Sequence, residues 1–140
     1  MKAIHLFALA IMVLANGCAT SRPLPAGLRT EVQSGGGVNI LSAGLLADEE
    51  GLLIHGLVER GTGYQGTVYR HLDVQVIGPD ARPIYERSAR FLPNPIPFTR
   101  VGAGRASYSV QLHFDPPAGS LIRVKVDCTL QDECKLSRAG

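Results

Sequence analysis

The chain has 140 residues, 19% of them charged, and a formal net charge of +2 at neutral pH. This length suits one domain with a short extension. The near balance of basic and acidic side chains gives no electrostatic reason to expect binding to nucleic acid or to an anionic lipid surface, so we expect no nucleic-acid partner.

The N-terminal segment has the pattern of a secretory signal peptide. Lys2 gives a positive start, residues 4–15 are apolar apart from His5, and small residues lead to Cys18. The apolar run is too short for a comfortable transmembrane span. The sequence therefore predicts a signal peptide over residues 1–17 that is removed on export.

This segment resembles a bacterial lipoprotein signal, in which the cysteine is lipidated and becomes the first residue of the mature protein. Gly17 fits the motif and Asn16 departs from it. The resemblance implies acyl chains on Cys18, which together attach the protein stably to a membrane. Ala19 in the next position implies, for a Gram-negative envelope, attachment to the outer membrane facing the periplasm. The alternative is cleavage near Gly17 by an ordinary signal peptidase and secretion to the periplasm.

The mature chain begins with a segment whose composition is typical of a linker. Residues 18–36 are rich in small side chains, proline and glycine, which predicts a flexible tether that carries the lipid at its start. The folded domain is predicted over residues 37–140. Near its start, residues 48–51 read as an acidic turn.

From Val38 onward, apolar and polar residues alternate over short segments that turn signals separate. No mature segment has a helical period. The sequence predicts about six or seven strands, beginning at Val38 and continuing over residues 52–60, 68–77, 84–92, 105–114 and 122–128. This pattern favours an all-β fold, a single antiparallel β-sandwich. The run over residues 72–80 resembles the immunoglobulin-like or fibronectin-like modules of envelope lipoproteins.

Two cysteines follow the predicted signal and tether. Cys128 and Cys134 form an even pair in an oxidising compartment, which predicts a disulfide that holds the C-terminal tail to the last strand. Their spacing is not Cys-x-x-Cys, and no nearby histidine completes a zinc set.

Three histidines fall on the outward side of their predicted strands: His55, His71 and His113. If those strands were neighbours in one sheet, the three imidazoles could converge on a metal ion, with Asp73 or Glu59 assisting. Solvated histidines on polar faces are the simpler interpretation.

Two loops carry patterns that each have two interpretations. Residues 61–66 match G-x-G-x-x-G, but a nucleotide site needs a helix after the motif, and here a strand follows, so we expect a glycine loop between strands. Residues 93–98 hold Ile96 and Phe98 among prolines. We expect these two side chains to cap the end of the sandwich, and the alternative is that they dock a partner.

The sequence thus predicts a lipid-anchored envelope protein that works as a non-catalytic binding or assembly module with a protein partner. No nucleophile, base and acid have a spacing that brings them together, so we expect no enzymatic activity and no cofactor. The alternative function is metal binding in the periplasm through His55, His71 and His113.

Overall fold

The computed structural model describes residues 21–63, 70–99 and 102–127, and these residues fold as nine β-strands. The all-β prediction is confirmed. No helix in this part of the chain has the length and apolar character needed to cross a membrane. The strands are β1 (Arg29–Gln33), β2 (Val38–Ile40), β3 (Gly44–Asp48), β4 (Gly51–Arg60), β5 (Leu72–Ile77), β6 (Pro83–Ala89), β7 (Phe91–Leu92), β8 (Arg105–Leu112) and β9 (Leu121–Val126).

The strands form two sheets that pack face to face as a β-sandwich. In the five-stranded sheet, β2 and β3 both pair with the same edge of β4, which pairs with β8, and β8 pairs with β7. The four-stranded sheet has the order β1-β9-β5-β6. The pairing of β1 with β9 is parallel, and the other strand pairs of the described residues are antiparallel.

The core lies between the sheets and follows the predicted alternation. Along β5, β8 and β9 every second side chain is buried, as a period of two requires when one face of a strand meets the core. Each fully buried Val, Leu or Ile contributes about 1.5–3 kcal/mol relative to an exposed one. The fully buried large side chains are Phe91, Leu52, Ile54, Leu72, Ile96, Leu112, Ile122, Val38, Val58, Val74 and Val76.

The predicted tether is wrong over much of its length, because residues in it belong to the sandwich. The backbone N–H of Arg22 donates to the carbonyl of Ala47 at 2.9 Å, and β1 adds a parallel edge strand beside β9. The turn from β1 to β2 uses Gly36 and Gly37, whose φ angles of 54° and 75° favour glycine. The domain therefore begins well before residue 37.

The predicted strand over residues 84–92 is in fact two strands in different sheets. β6 pairs with β5 in the four-stranded sheet, and β7 pairs with β8 in the five-stranded sheet. Exposed Arg90 lies between them, and the chain crosses from one sheet to the other at this residue. Phe91 is then buried in the core, while Leu92 points outward.

Several predictions concern residues outside the described part of the chain. These are the signal peptide over residues 1–17, the lipidation of Cys18, the disulfide between Cys128 and Cys134, and Gly66 of the glycine motif.

Candidate functional site

The outer faces of the two sheets differ in chemistry. On the four-stranded sheet many outward side chains are polar and bond to one another across the strands. Asp73 accepts a hydrogen bond from Ser88 at 2.9 Å and lies 3.9 Å from the Lys125 ammonium. Arg123 donates to Glu31 at 3.3 Å. Paired polar side chains of this kind are typical of a face that stays in contact with water.

The hydrogen bonds to Glu31 also shift the pKa of its carboxyl group. The hydrogen bond from Gln33 and then that from Arg123 lower this pKa below its usual range, against a small opposing effect of burial. The carboxylate is therefore charged at neutral pH and held within its network.

The outer face of the five-stranded sheet carries a group of leucines, which we call the leucine face. Leu41, Leu46, Leu57 and Leu92 are 44%, 42%, 43% and 71% exposed, and Leu53 is half-buried beside them. Single exposed leucines are ordinary on soluble proteins, but several on the same face of one sheet indicate a contact surface.

Cross-strand register places these leucines in two groups on the sheet. Leu57 on β4 and Leu92 on β7 both pair with Ser107 of the intervening strand β8, so the two leucines flank a small side chain about 10 Å apart. Leu46 pairs directly with Leu53 on the neighbouring strand. The side chains of Leu57 and Leu92 line a shallow surface of which Ser107 is the floor.

A β-bulge between β2 and β3 decides which residues of this edge face outward. The backbone N–H groups of Leu41 and Ser42 both donate to the carbonyl of Leu57, at 2.8 and 3.4 Å. Two residues thus oppose one, and the inward side changes from even-numbered residues before the bulge to odd-numbered residues after it. Without the extra residue, Leu46 would face the core and Ala47 would face water.

Side chains lock this bulge in place. The Ser42 hydroxyl accepts from the N–H of Leu57 at 3.1 Å, and the Ser42 carbonyl accepts from the buried Tyr108 hydroxyl at 2.7 Å. A Cβ on Gly56 would lie 2.0 Å from that carbonyl, so only glycine leaves room for it. Burial raises the pKa of Tyr108 to about 12, which keeps the hydroxyl protonated and donating at neutral pH.

A groove of about 520 Å³ lies at the part of the leucine face that holds Leu57 and Leu92. Leu57 and Leu92 supply apolar walls, and His55 and Arg90 bring polar groups to its rim. His55 lies over Gly44 of the neighbouring strand, where a Cβ would come within 2.8 Å of the imidazole. The groove combines apolar side chains with the guanidinium of Arg90. This combination suits a partner protein that presents apolar side chains next to an acidic one.

A second cavity, of about 780 Å³, lies at one end of the sandwich between the turn after β4 and the loop that precedes β8. The guanidinium of buried Arg60 lies 5.3 Å from the centroid of the Phe98 ring, a cation–π distance. In the loop over residues 93–98, Ile96 is buried and caps the core as expected, whereas Phe98 is 73% exposed. The expectation that both side chains cap the core is thus wrong for Phe98.

The three histidines do not come together. His55 lies on the five-stranded sheet and His113 follows β8, while His71 precedes β5 in the other sheet and contacts Asp127 at 2.9 Å. In residues 21–63, 70–99 and 102–127, no three His, Cys, Asp or Glu side chains are grouped so that they could hold a metal ion. The alternative of a three-histidine convergence is wrong because His71 precedes β5 of the four-stranded sheet, whereas His55 and His113 lie on or next to strands of the five-stranded sheet.

In comparisons with known proteins, no family model, no curated protein and no solved structure matches this chain. The likeness to immunoglobulin-like or fibronectin-like modules therefore stays a prediction, and the function has to be argued from the surfaces of the domain itself.

Proposed function

We propose that this protein is a lipid-anchored, non-catalytic binding or assembly module of the cell envelope, and that the leucine face is its docking surface. Cys18 carries the anchor in this proposal, and the domain faces the periplasm from the outer membrane. The observation that supports the docking role most is the contrast between the two sheets. The four-stranded sheet pairs polar groups across its outer face and exposes Ile84 at 47%, while the five-stranded sheet leaves four leucines at least 42% exposed.

Covering the leucine face supplies part of the free energy of association. Fully burying a leucine contributes about 1.5–3 kcal/mol, so covering the exposed part of four half-exposed leucines contributes roughly 4 kcal/mol before the costs of association. Ser107 between Leu57 and Leu92 allows a partner side chain to approach the sheet closely. Such an arrangement fits an apolar anchor residue from the partner.

The charge on the rim defines the partner further. Arg90 lines the groove together with Leu92, and Arg105 lies farther along the same face beside Glu59 at 3.6 Å. We infer a protein partner that presents apolar side chains for the groove and a carboxylate for Arg90. Charge complementarity of this kind sets orientation and association rate more than affinity.

The test compares paired substitutions on the two sheets. The double variant Leu57→Ser, Leu92→Ser removes the apolar walls, and Ile84→Ser is the matched control, since Ile84 is 47% exposed on β6 of the other sheet. Each full-length protein is captured from solubilised envelopes after mild cross-linking, and bound proteins are quantified by mass spectrometry. We expect a stoichiometric partner that the double variant loses at least tenfold and the control retains. Equal recovery with both variants would contradict the docking role.

The anchor is tested separately. The mass of the N-terminal peptide of the purified protein reports the acyl chains directly, and Cys18→Ala should release the protein from the membrane fraction. An unmodified N-terminal peptide would rule out the anchor and leave the docking test on the leucine face unaffected.

A further inference from the structure

Arg22 fastens the start of the described chain to one end of the sandwich. Its backbone N–H donates to Ala47, its Nε donates to the carbonyl of Asp48 at 2.6 Å, and its terminal nitrogen donates to Asp115 at 3.1 Å. These bonds join it to β3 and to the loop after β8. The ion pair with Asp115 is half exposed and contributes little stability, but the three bonds together hold the start of the described chain at this end of the sandwich.

The residues after Arg22 stay at the same end. The carbonyl of Ala26 accepts from Gly119 at 2.9 Å, and the N–H of Arg29 donates to Ser120 at 3.1 Å. A Cβ on Gly119 would lie 3.6 Å from Pro79, so the turn between β5 and β6 is here as well. We call this the proximal end and define it as residues 21–28, 48–51, 78–82 and 113–120.

Chain length then limits how far this end can lie from a lipid on Cys18. Four residue steps separate Cys18 from Arg22, and a fully extended chain covers at most about 14 Å over that distance. Strand β4 begins at the proximal end with Gly51 and ends with Arg60, nine steps or about 30 Å away. The Arg60–Phe98 cavity is therefore at the opposite, distal end.

We infer that the proximal end of the sandwich faces the bilayer at close range and that the distal end, with the Arg60–Phe98 cavity, points away from the membrane. This inference rests on the proposed anchor at Cys18. The leucine face, which lies over β4 and β8, is then on the side of the domain, so a partner that docks on it approaches parallel to the membrane plane. A lipid surface is the neighbour of the proximal end.

The charge of the proximal end argues against adsorption onto anionic lipids. Its loops carry five carboxylates, on Asp48, Glu49, Glu50, Asp80 and Asp115, and two guanidiniums, on Arg22 and Arg82. Net negative charge is repelled by an anionic bilayer, and salt screens that repulsion beyond about 10 Å at 0.1 M. The acyl chains hold the domain near the membrane in this arrangement, and electrostatics keeps its end hydrated.

Energy transfer to labelled lipid tests the orientation. The full-length lipoprotein, with its anchor confirmed by the mass of the N-terminal peptide, is reconstituted into vesicles of neutral phospholipid that contain an acceptor on the headgroup. A fluorescent amino acid replaces Glu50 at the proximal end or Thr62 at the distal end, both exposed positions. This labelling leaves Cys128 and Cys134 unchanged. We expect transfer from position 50 to be several-fold stronger than from position 62.

A lengthened chain provides the control. An eight-residue Gly-Ser insertion between Thr20 and Ser21 adds up to about 28 Å of reach and should bring the two positions close to equal transfer. Equal transfer from positions 50 and 62 without the insertion, or stronger transfer from position 62, would overturn the orientation while the anchor stands. An N-terminal peptide without lipid would overturn the anchor itself and the orientation with it.

Discussion

Replacing Gly56 by alanine should destabilise the fold through one identifiable contact. The new Cβ would lie 2.0 Å from the Ser42 carbonyl and 2.6 Å from the Tyr108 hydroxyl, so the bulge has to move. Overpacking costs about 1–3 kcal/mol, and loss of the bond between Tyr108 and Ser42 leaves buried polar groups at a further cost of about 1–3 kcal/mol. We expect Gly56→Ala to lower the free energy of unfolding by about 3 kcal/mol, measured by urea denaturation.

The controls separate crowding from the general effect of replacing a glycine. At Gly63 a Cβ would meet nothing within 4 Å, so Gly63→Ala should cost only the strain of its φ of 78°, about 1 kcal/mol. Tyr108→Phe removes the hydroxyl alone, and combining it with Gly56→Ala should cost less than the sum, because the two changes disrupt the same contact. A loss below 0.5 kcal/mol for Gly56→Ala would refute the position of the Ser42 carbonyl.

Three further predictions follow from the described contacts. Burial raises the pKa of Tyr108 from 10.0 to about 12, so the unfolded chain releases this proton at a lower pH than the folded chain does. The free energy of unfolding should therefore be constant below pH 10 and fall by roughly 2 kcal/mol between pH 10 and 12. Urea denaturation across that window should show this fall in the parent protein and not in Tyr108→Phe. Leu57→Ser should change stability by less than about 1 kcal/mol while weakening partner binding, since its side chain is already 43% exposed, and a large drop in the melting temperature would contradict its outward position. Arg22→Ala should also cost less than about 1 kcal/mol in thermal unfolding, but it should reduce the difference in energy transfer between positions 50 and 62. The variant keeps only the backbone bond from residue 22 to Ala47, and when that bond opens the chain is next held at Ala26, with a reach of about 28 Å from Cys18.

Alternation of side chains was sufficient to predict the fold class and most of the core. The buried sets on β5, β8 and β9 follow directly from a period of two, which depends on local backbone geometry alone. Ile96 as a cap for the end of the core was also predictable, because a large apolar side chain in a proline-rich loop gains by turning inward.

What the sequence could not supply were features that depend on distant partners. Strand β1 has no alternating apolar face, and it forms because β9, far along the chain, offers an open edge. The change of sheet at Arg90 likewise depends on how β7 meets β8. The leucine face escaped prediction because a bulge opposite Leu57 reverses the inward side between Ile40 and Ala43, so the sequence of that edge does not alternate regularly. One signal was present: Leu45 and Leu46 are adjacent, and only one of them can face the core.

The same bulge also bears on how a partner can bind. Pairing of a partner strand with a sheet edge needs a continuous, accessible row of backbone groups. On the β2–β3 edge the bulge interrupts that row, and Arg22 already bonds to Ala47. The β7 edge offers only two residues. The β6 edge carries Pro83, Glu86 and Arg87, which disfavour pairing. These three edges are thus poorly suited to strand addition; the fourth edge is β1, and four of the exposed leucines lie on the face of the five-stranded sheet. Binding of a partner should therefore be sensitive to side-chain changes at Leu57 and Leu92 and insensitive to a proline placed on the β6 edge. Binding measurements on Arg87→Pro make this comparison directly, once circular dichroism has confirmed that the variant folds.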